Sequence, residues 1–139
     1  MQEIDLLLTK LAPYASGFVW NPFSPNTAAL KMLRDPKIFG ETAKLMRKHT
    51  PKKLLLVKMG PYENDREERR HFLELTANFL GGGGDGIVAV NTKTFPKDQL
   101  PVSEWGYPSA GRSGRFLQEY RMRAVRGARR EFPNAVIFA

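Results

Sequence analysis

The polar residues best placed for chemistry fall in three short segments: Asn21-Pro22-Phe23-Ser24-Pro25-Asn26-Thr27, Lys58, and Asn91-Thr92. Carboxamides carry both donors and acceptors, so asparagines suit a ligand that alternates N–H and C=O groups. A serine hydroxyl is a poor base at its own pKa and needs a partner or a proton path. No such partner is evident in the sequence. Lys58 closes the apolar run Leu54-Leu55-Leu56-Val57, so its cation emerges from a buried segment. Plainer readings stand beside these. Segment 21–27 also reads as a turn leading to a helix cap, because Asn, Ser and Pro favour turns. Lys58 also reads as a surface lysine, and Asn91-Thr92 as the close of a strand.

Other chemistries find little support. The chain has no cysteine, which excludes disulfides and thiolate metal sites. His49 and His71 stand in or beside helical segments, far from the strand ends, and with no cysteine a metal site is not expected. No Ser-His-Asp arrangement is supported. The glycine run 81–84 follows a helix and precedes a strand. That is the reverse of the strand-loop-helix order of phosphate loops.

The elements that must position the polar groups alternate strictly. Residues 6–14 read as a short helix, and 17–21 as a buried strand. Asp35-Pro36 opens a second helix, with Asp as N-cap and Pro in the first turn. Ile38, Thr42, Leu45 and Met46 give it an apolar face. The unbroken run 54–58 is a strand buried on both faces, as in parallel sheets. A third helix starts near Asn64, with Glu67 three residues on as in a capping box. Phe72, Leu75, Phe79 and Leu80 form its stripe, and the glycines end it. Residues 86–91 form a strand. Residues 92–111, which include Trp105, read as a long loop. Ser113-Gly114 introduces a last helix, with Leu117, Tyr120, Ala124, Val125, Ala128 and Phe132 inward. Residues 135–139 form a fourth strand.

Strands alternating with helices argue for parallel β/α units. An open doubly wound sheet and an arc of a (β/α)8 barrel both fit. In either, the C-terminal ends of the strands carry the site, and all three polar segments fall there. The chain, 139 residues long, reads as one domain, about half of a barrel that typically takes roughly 250 residues.

The net charge is +8, and Arg112, Arg115, Arg121, Arg123, Arg126, Arg129 and Arg130 cluster near one end. The clustering reads as the solvated face of an amphipathic helix. No RNA-recognition motif or zinc finger supports a nucleic-acid partner. No apolar run approaches the ~20 residues of a membrane span, and the first residues do not form a signal peptide. The expected address is cytoplasmic.

Four motifs in order, Asn21-x-x-Ser24-Pro25-Asn26-Thr27, Val57-Lys58-x-x-Pro61, Asp85-Gly86-Ile87-Val88-Ala89-x-Asn91-Thr92 and Gly111-x-Ser113-Gly114-Arg115-x-Leu117, resemble the dihydroorotate dehydrogenases. The resemblance covers residues 17–139 and runs from the family's fourth barrel strand to its seventh. It implies a partial (β/α)8 barrel, FMN as cofactor, and oxidation of dihydroorotate to orotate in pyrimidine synthesis. Ser24 falls on the catalytic base. Serine there, with no cysteine, points to the class 2 enzymes that pass electrons to quinone. Asn21, Asn26, Asn91 and Thr92 fall on substrate contacts. Asn21, Lys58, Val90, Ser113 and Gly114 fall on flavin contacts, with Lys58 near the flavin's pyrimidine end.

The sequence departs from the family at several loops. Pro22-Phe23 replaces an aliphatic and a small residue. Ala28-Ala29 replaces Pro-Gly, and Met59-Gly60-Pro61-Tyr62 replaces an apolar-Ala-Pro-Asp segment. Pro108-Ser109-Ala110 stands where paired glycines are frequent. The family's first three strands, its glycine-rich phosphate site and its quinone-side helices have no counterpart here. The expectation is therefore an internal, truncated portion of a longer enzyme, inactive alone, whose peripheral contact with the cytoplasmic face of an inner membrane lies in other segments. The competing readings are another flavin- or phosphate-binding barrel oxidoreductase and a basic, non-enzymatic anion-binding module.

Overall fold

Two aspartates set the starts of the central helices. Asp35 accepts hydrogen bonds from Lys37 N (2.8 Å) and Ile38 N (3.2 Å), with Pro36 in the first turn of α2, Pro36–His49. Asp65 does the same for Glu67 N (2.8 Å) and Glu68 N (2.9 Å) at the start of α3, Arg66–Gly81. The cap expected at Asn64 is thus Asp65. Both residues are competent caps, and only Asp65 stands in register with those two N–H groups. The glycine run ends α3 by turning Gly82 N onto Asn78 O and Gly83 N onto Leu80 O.

A computed structural model describes residues 2–24, 27–100, 106 and 108–139. Asn26 and Trp105, both singled out from the sequence, lie outside the described residues. The remaining elements are α1 (Gln2–Leu11), β1 (Gly17–Trp20), β2 (Leu54–Met59), β3 (Gly86–Ala89), β4 (Lys93–Pro96), β5 (Ser109–Arg112), α4 (Gln118–Glu131) and β6 (Val136–Phe138). Short 3-10 turns cover Ala28–Leu33, Lys97–Gln99 and Gly114–Leu117. The long loop expected over 92–111 instead contains a two-stranded antiparallel sheet, in which Lys93 pairs with Arg112 and Pro96 with Ser109. Its strands are four residues long, with Pro96 ending one and Pro108 just before the other, so no local alternation announces them.

The main sheet is parallel, in the order β1-β2-β3-β6. Strands thus neighbour one another in chain order, without the reversal of a doubly wound sheet. The helices pack in the same order, α1 on α2, α2 on α3 and α3 on α4. A single helix layer on one face of an ordered parallel sheet is an arc of a (β/α)8 barrel, and it is not closed.

The register decides what is buried. Phe18, Trp20, Leu55, Val57, Met59, Ile87, Ala89 and Ile137 alternate toward the helices and join the core. Phe39, Ala43 and Met46 of α2 meet them, with Phe79 and Leu75 of α3. Thr42 and Met46 of the expected stripe are buried, joined by Phe39 and Ala43, while Ile38 and Leu45 lie at its margins. Trp20 packs edge-on against Phe39, ring centroids 4.8 Å apart. Truncating a fully buried phenylalanine such as Phe39 costs about 3–5 kcal/mol.

Two cations close the N-terminal edge of the sheet: Lys53 Nζ donates to Ala12 O and Ala15 O ahead of β1, and Arg47 gathers the loops before β2 and β3. Arg47 donates to Gly83 O (2.8 Å), Thr50 O and Lys53 O (both 2.9 Å), and pairs with Asp85 Oδ2 at 2.8 Å. The same Asp85 oxygen accepts from Leu55 N at 2.7 Å. The glycine run thus lies at the edge opposite the strand C-termini, as its position after a helix requires.

Candidate active site

The strands end together, and the residues just beyond them meet. Asn21 leaves β1 and Asn91 leaves β3. They reach each other across the end of β2, where Asn91 Nδ2 donates to Asn21 Oδ1 at 3.0 Å. Asn91 N also donates to Met59 O at 2.7 Å, which extends the β2–β3 ladder by one rung. Residue 91 is 5% exposed, so its carboxamide must satisfy itself inside the protein. It does so: Nδ2 also donates to Phe23 O (2.8 Å), and Oδ1 accepts from Thr92 N (2.8 Å).

The bonding divides the roles of the polar group. Asn91 is saturated and organises the rim. Asn21 spends its oxygen on Asn91 and on Phe23 N (3.3 Å). That leaves its Nδ2, with two donors, directed at no protein acceptor among the described residues. Thr92 Oγ1 is buried and has no hydrogen-bond partner among the described residues. Leaving such a hydroxyl unpaired costs about 1–3 kcal/mol, and a native protein that retains one is commonly poised for a ligand or water. Ser24, partly buried, follows Phe23 in the chain. The non-proline peptide Ala89–Val90, at the same edge, is cis.

Lys58, Val90 and Gly114 line a neighbouring cavity of about 450 Å³, with Val88, Arg121 and Ala139. Lys58 faces away from the helix layer and has no hydrogen-bond or ion-pair partner among the described residues. Gly114 has φ +85°, and open space lies where a side chain would begin. Ser113 is exposed and stands outside this lining. A larger groove of about 740 Å³, between α3 and α4, holds Tyr62, Arg69, Arg123 and Arg126. None of the polar residues at the strand ends reaches it, so the smaller cavity is the one that belongs to the rim.

Three further features, at the rim and in the adjacent groove, carry no signal in sequence spacing. Lys93 pairs with Glu63 and donates to Tyr120 Oη at 2.8 Å, which ties β4 to the start of α4. Tyr62 Oη donates to Arg123 O at 3.2 Å. Burial pushes the Tyr62 phenol above its ordinary pKa, and Arg69 and Arg123 partly offset that. Arg34 lies 4.6 Å above the Phe23 ring and donates to Pro22 O at 3.2 Å; burial lowers its pKa from the ordinary value.

No protein-family model matches the chain. It is 32% identical over 124 residues to the dihydroorotate dehydrogenase (quinone) of Rhodospirillum rubrum, and 31% identical over 126 residues to that of Thermus thermophilus. These matches take in 85% and 86% of this chain but 32% of each relative, so the chain spans about a third of their length. Two crystal structures of DHODH from Eimeria tenella, one in complex with ferulenol and one ligand-free, superpose with TM-scores of 0.77 and 0.75. Each covers 98% of this chain at 21% identity, and the chain covers 41% and 42% of them. The fold is therefore the partial barrel that the four motifs imply. No helix among the described residues is long and apolar enough to cross a membrane. Over most of its length, the chain is related to the dihydroorotate dehydrogenases of the quinone type.

Proposed function

We propose that the chain supplies the substrate-binding rim of an FMN-dependent enzyme that oxidises dihydroorotate to orotate for pyrimidine nucleotide synthesis. The observation that carries this reading is the Asn21–Asn91 pair with the buried Thr92 hydroxyl, which has no partner among the described residues. A dihydropyrimidine ring alternates N–H and C=O groups. The free Nδ2 of Asn21 matches a ring carbonyl or the carboxylate, and Thr92 Oγ1 can donate or accept. Asn26 is a third carboxamide in the same segment. Ser24 is the proposed base, taking the proton from the carbon next to the one that gives up hydride. FMN, when bound, accepts that hydride. Lys58 and the main chain at Val90 and Gly114, with Asn21 and Ser113, are the groups that would hold it. For Lys58, Val90 and Gly114 the fit is supported by the cavity's size, the unpaired cation and the open approach over Gly114. Quinone is the proposed final acceptor, in keeping with the names of both relatives.

Turnover is proposed to need residues beyond this chain. The four-stranded sheet leaves β1 and β6 as unpaired edges, and about two thirds of each relative's length has no match here. Contact with quinone and with a membrane surface falls to those residues. Titration of the isotopically labelled chain with orotate tests the rim directly. Saturable shifts of the Asn21, Asn91 and Thr92 signals are expected. If those signals stay fixed up to millimolar orotate, the reading is wrong. In the longer protein, Ser24→Ala is expected to abolish oxidation at neutral pH while leaving orotate bound.

A further inference from the structure

Phe23 is bonded to both asparagines through its own main chain. Its N–H donates to Asn21 Oδ1 and its C=O accepts from Asn91 Nδ2. Its ring is enclosed on three sides. Phe39 meets it edge-on with centroids 6.3 Å apart, and the Arg34 guanidinium lies over its face. Gly60 closes the third side. A Cβ on residue 60 would lie 2.5 Å from Phe23 Cδ1 and 2.9 Å from Cε1, well inside the 3.5–4.0 Å at which carbon atoms pack. Gly60 directly follows β2. It occupies the strand end that the Asn21–Asn91 bond crosses.

We infer that Phe23 and Gly60 are a matched pair that positions the two asparagines and the Ser24 segment, the ring being seated only because residue 60 has no side chain. Any side chain there drives the ring off Phe39 and Arg34. The Phe23 carbonyl moves with it, and that carbonyl is one of the two acceptors holding the Asn91 amide. Ser24, the next residue, moves as well. Phe23 acts here through its neighbours and is a positioning residue. The ligand in the test below rests on the proposed function, whereas the coupling between residues 23, 60 and 91 does not.

Three variants of the labelled chain test this: Gly60→Ala, Phe23→Leu and the double variant. The Asn91 side-chain amide signals are read first in the free chain and then with orotate. Gly60→Ala is expected to displace the Asn91 signals and weaken orotate binding about tenfold, and the double variant to recover most of both, the non-additivity of residues in contact. A role limited to strand stability would lower the melting temperature and leave the Asn91 signals in place, which would overturn the inference. Losses that simply add in the double variant would overturn it as well. Should Gly60→Ala fail to fold, Phe23→Leu decides alone, since unchanged Asn91 signals there would refute the wedge. If the unaltered chain does not respond to orotate, the ligand reading fails, and the free-chain signals still judge the coupling.

Discussion

The two edges of the main sheet are built from similar residues to opposite ends. At the N-terminal edge the part-buried Arg47 and Asp85 are spent on the main chain and on each other. Arg47 satisfies three carbonyls and a carboxylate, and Asp85 returns a bond to Leu55 N. At the C-terminal edge, among the described residues, Asn21 keeps two free donors, Thr92 keeps a buried hydroxyl and Lys58 keeps an unpaired cation. A saturated edge holds strands together, whereas an unsaturated one costs stability that a ligand can return. In parallel β/α folds, the first pattern marks the structural end and the second the functional end.

The largest expected effect breaks the saturated edge. Arg47→Met keeps the length of the side chain and removes all of its donors. Gly83 O, Thr50 O and Lys53 O lose them together, and Asp85 loses its counter-charge. Urea denaturation is expected to show a loss of about 3 kcal/mol. The folded fraction should still respond to orotate, because no rim residue touches Arg47. A loss of orotate response in that folded fraction would join the two edges into one unit and dissolve the contrast.

Asn91→Ala should have the intermediate effect, because Asn91 belongs to the rim yet is bonded like the opposite edge. Its removal strands Asn21 Oδ1, Phe23 O and Thr92 N. The expected loss is about 2 kcal/mol in stability, with the orotate response gone as well. A variant that keeps full stability but loses orotate would make Asn91 a contact residue and not the organiser described here.

Much of this division was legible in the sequence, for identifiable reasons. The apolar run at Leu55, Leu56 and Val57 announces a buried parallel strand, and strand C-termini then point to Asn21, Lys58 and Asn91. Other features depended on partners distant in the chain. Asn21 and Asn91 are 70 residues apart and belong to strands that are not neighbours, so no spacing could pair them. Lys93 and Arg112 pair across the segment expected as loop, where Pro96 and Pro108 obscure the strand pattern. Phe23 and Gly60 each stood out as a departure, one adding bulk and the other removing it. Only the fold shows that the two changes occupy the same space.

Lys58→Met should give the smallest stability change and thereby sharpen the contrast most. Lys58 shares a sheet with the N-terminal network, lies one strand pairing from Val88, and makes no ion pair among the described residues. Methionine retains the apolar reach of its stem and removes a cation that nothing in the sheet requires. Unfolding free energy is expected to stay within about 0.5 kcal/mol of the unaltered chain. FMN affinity, read by quenching of flavin fluorescence, is expected to fall about tenfold for a lost charge-assisted contact. Two cations at opposite ends of one sheet would then differ in kind: one whose removal unfolds the protein, and one whose removal only a ligand detects. A destabilisation by Lys58→Met as large as that of Arg47→Met would show that the C-terminal edge is held by its charges too, and the free cation would need a structural explanation.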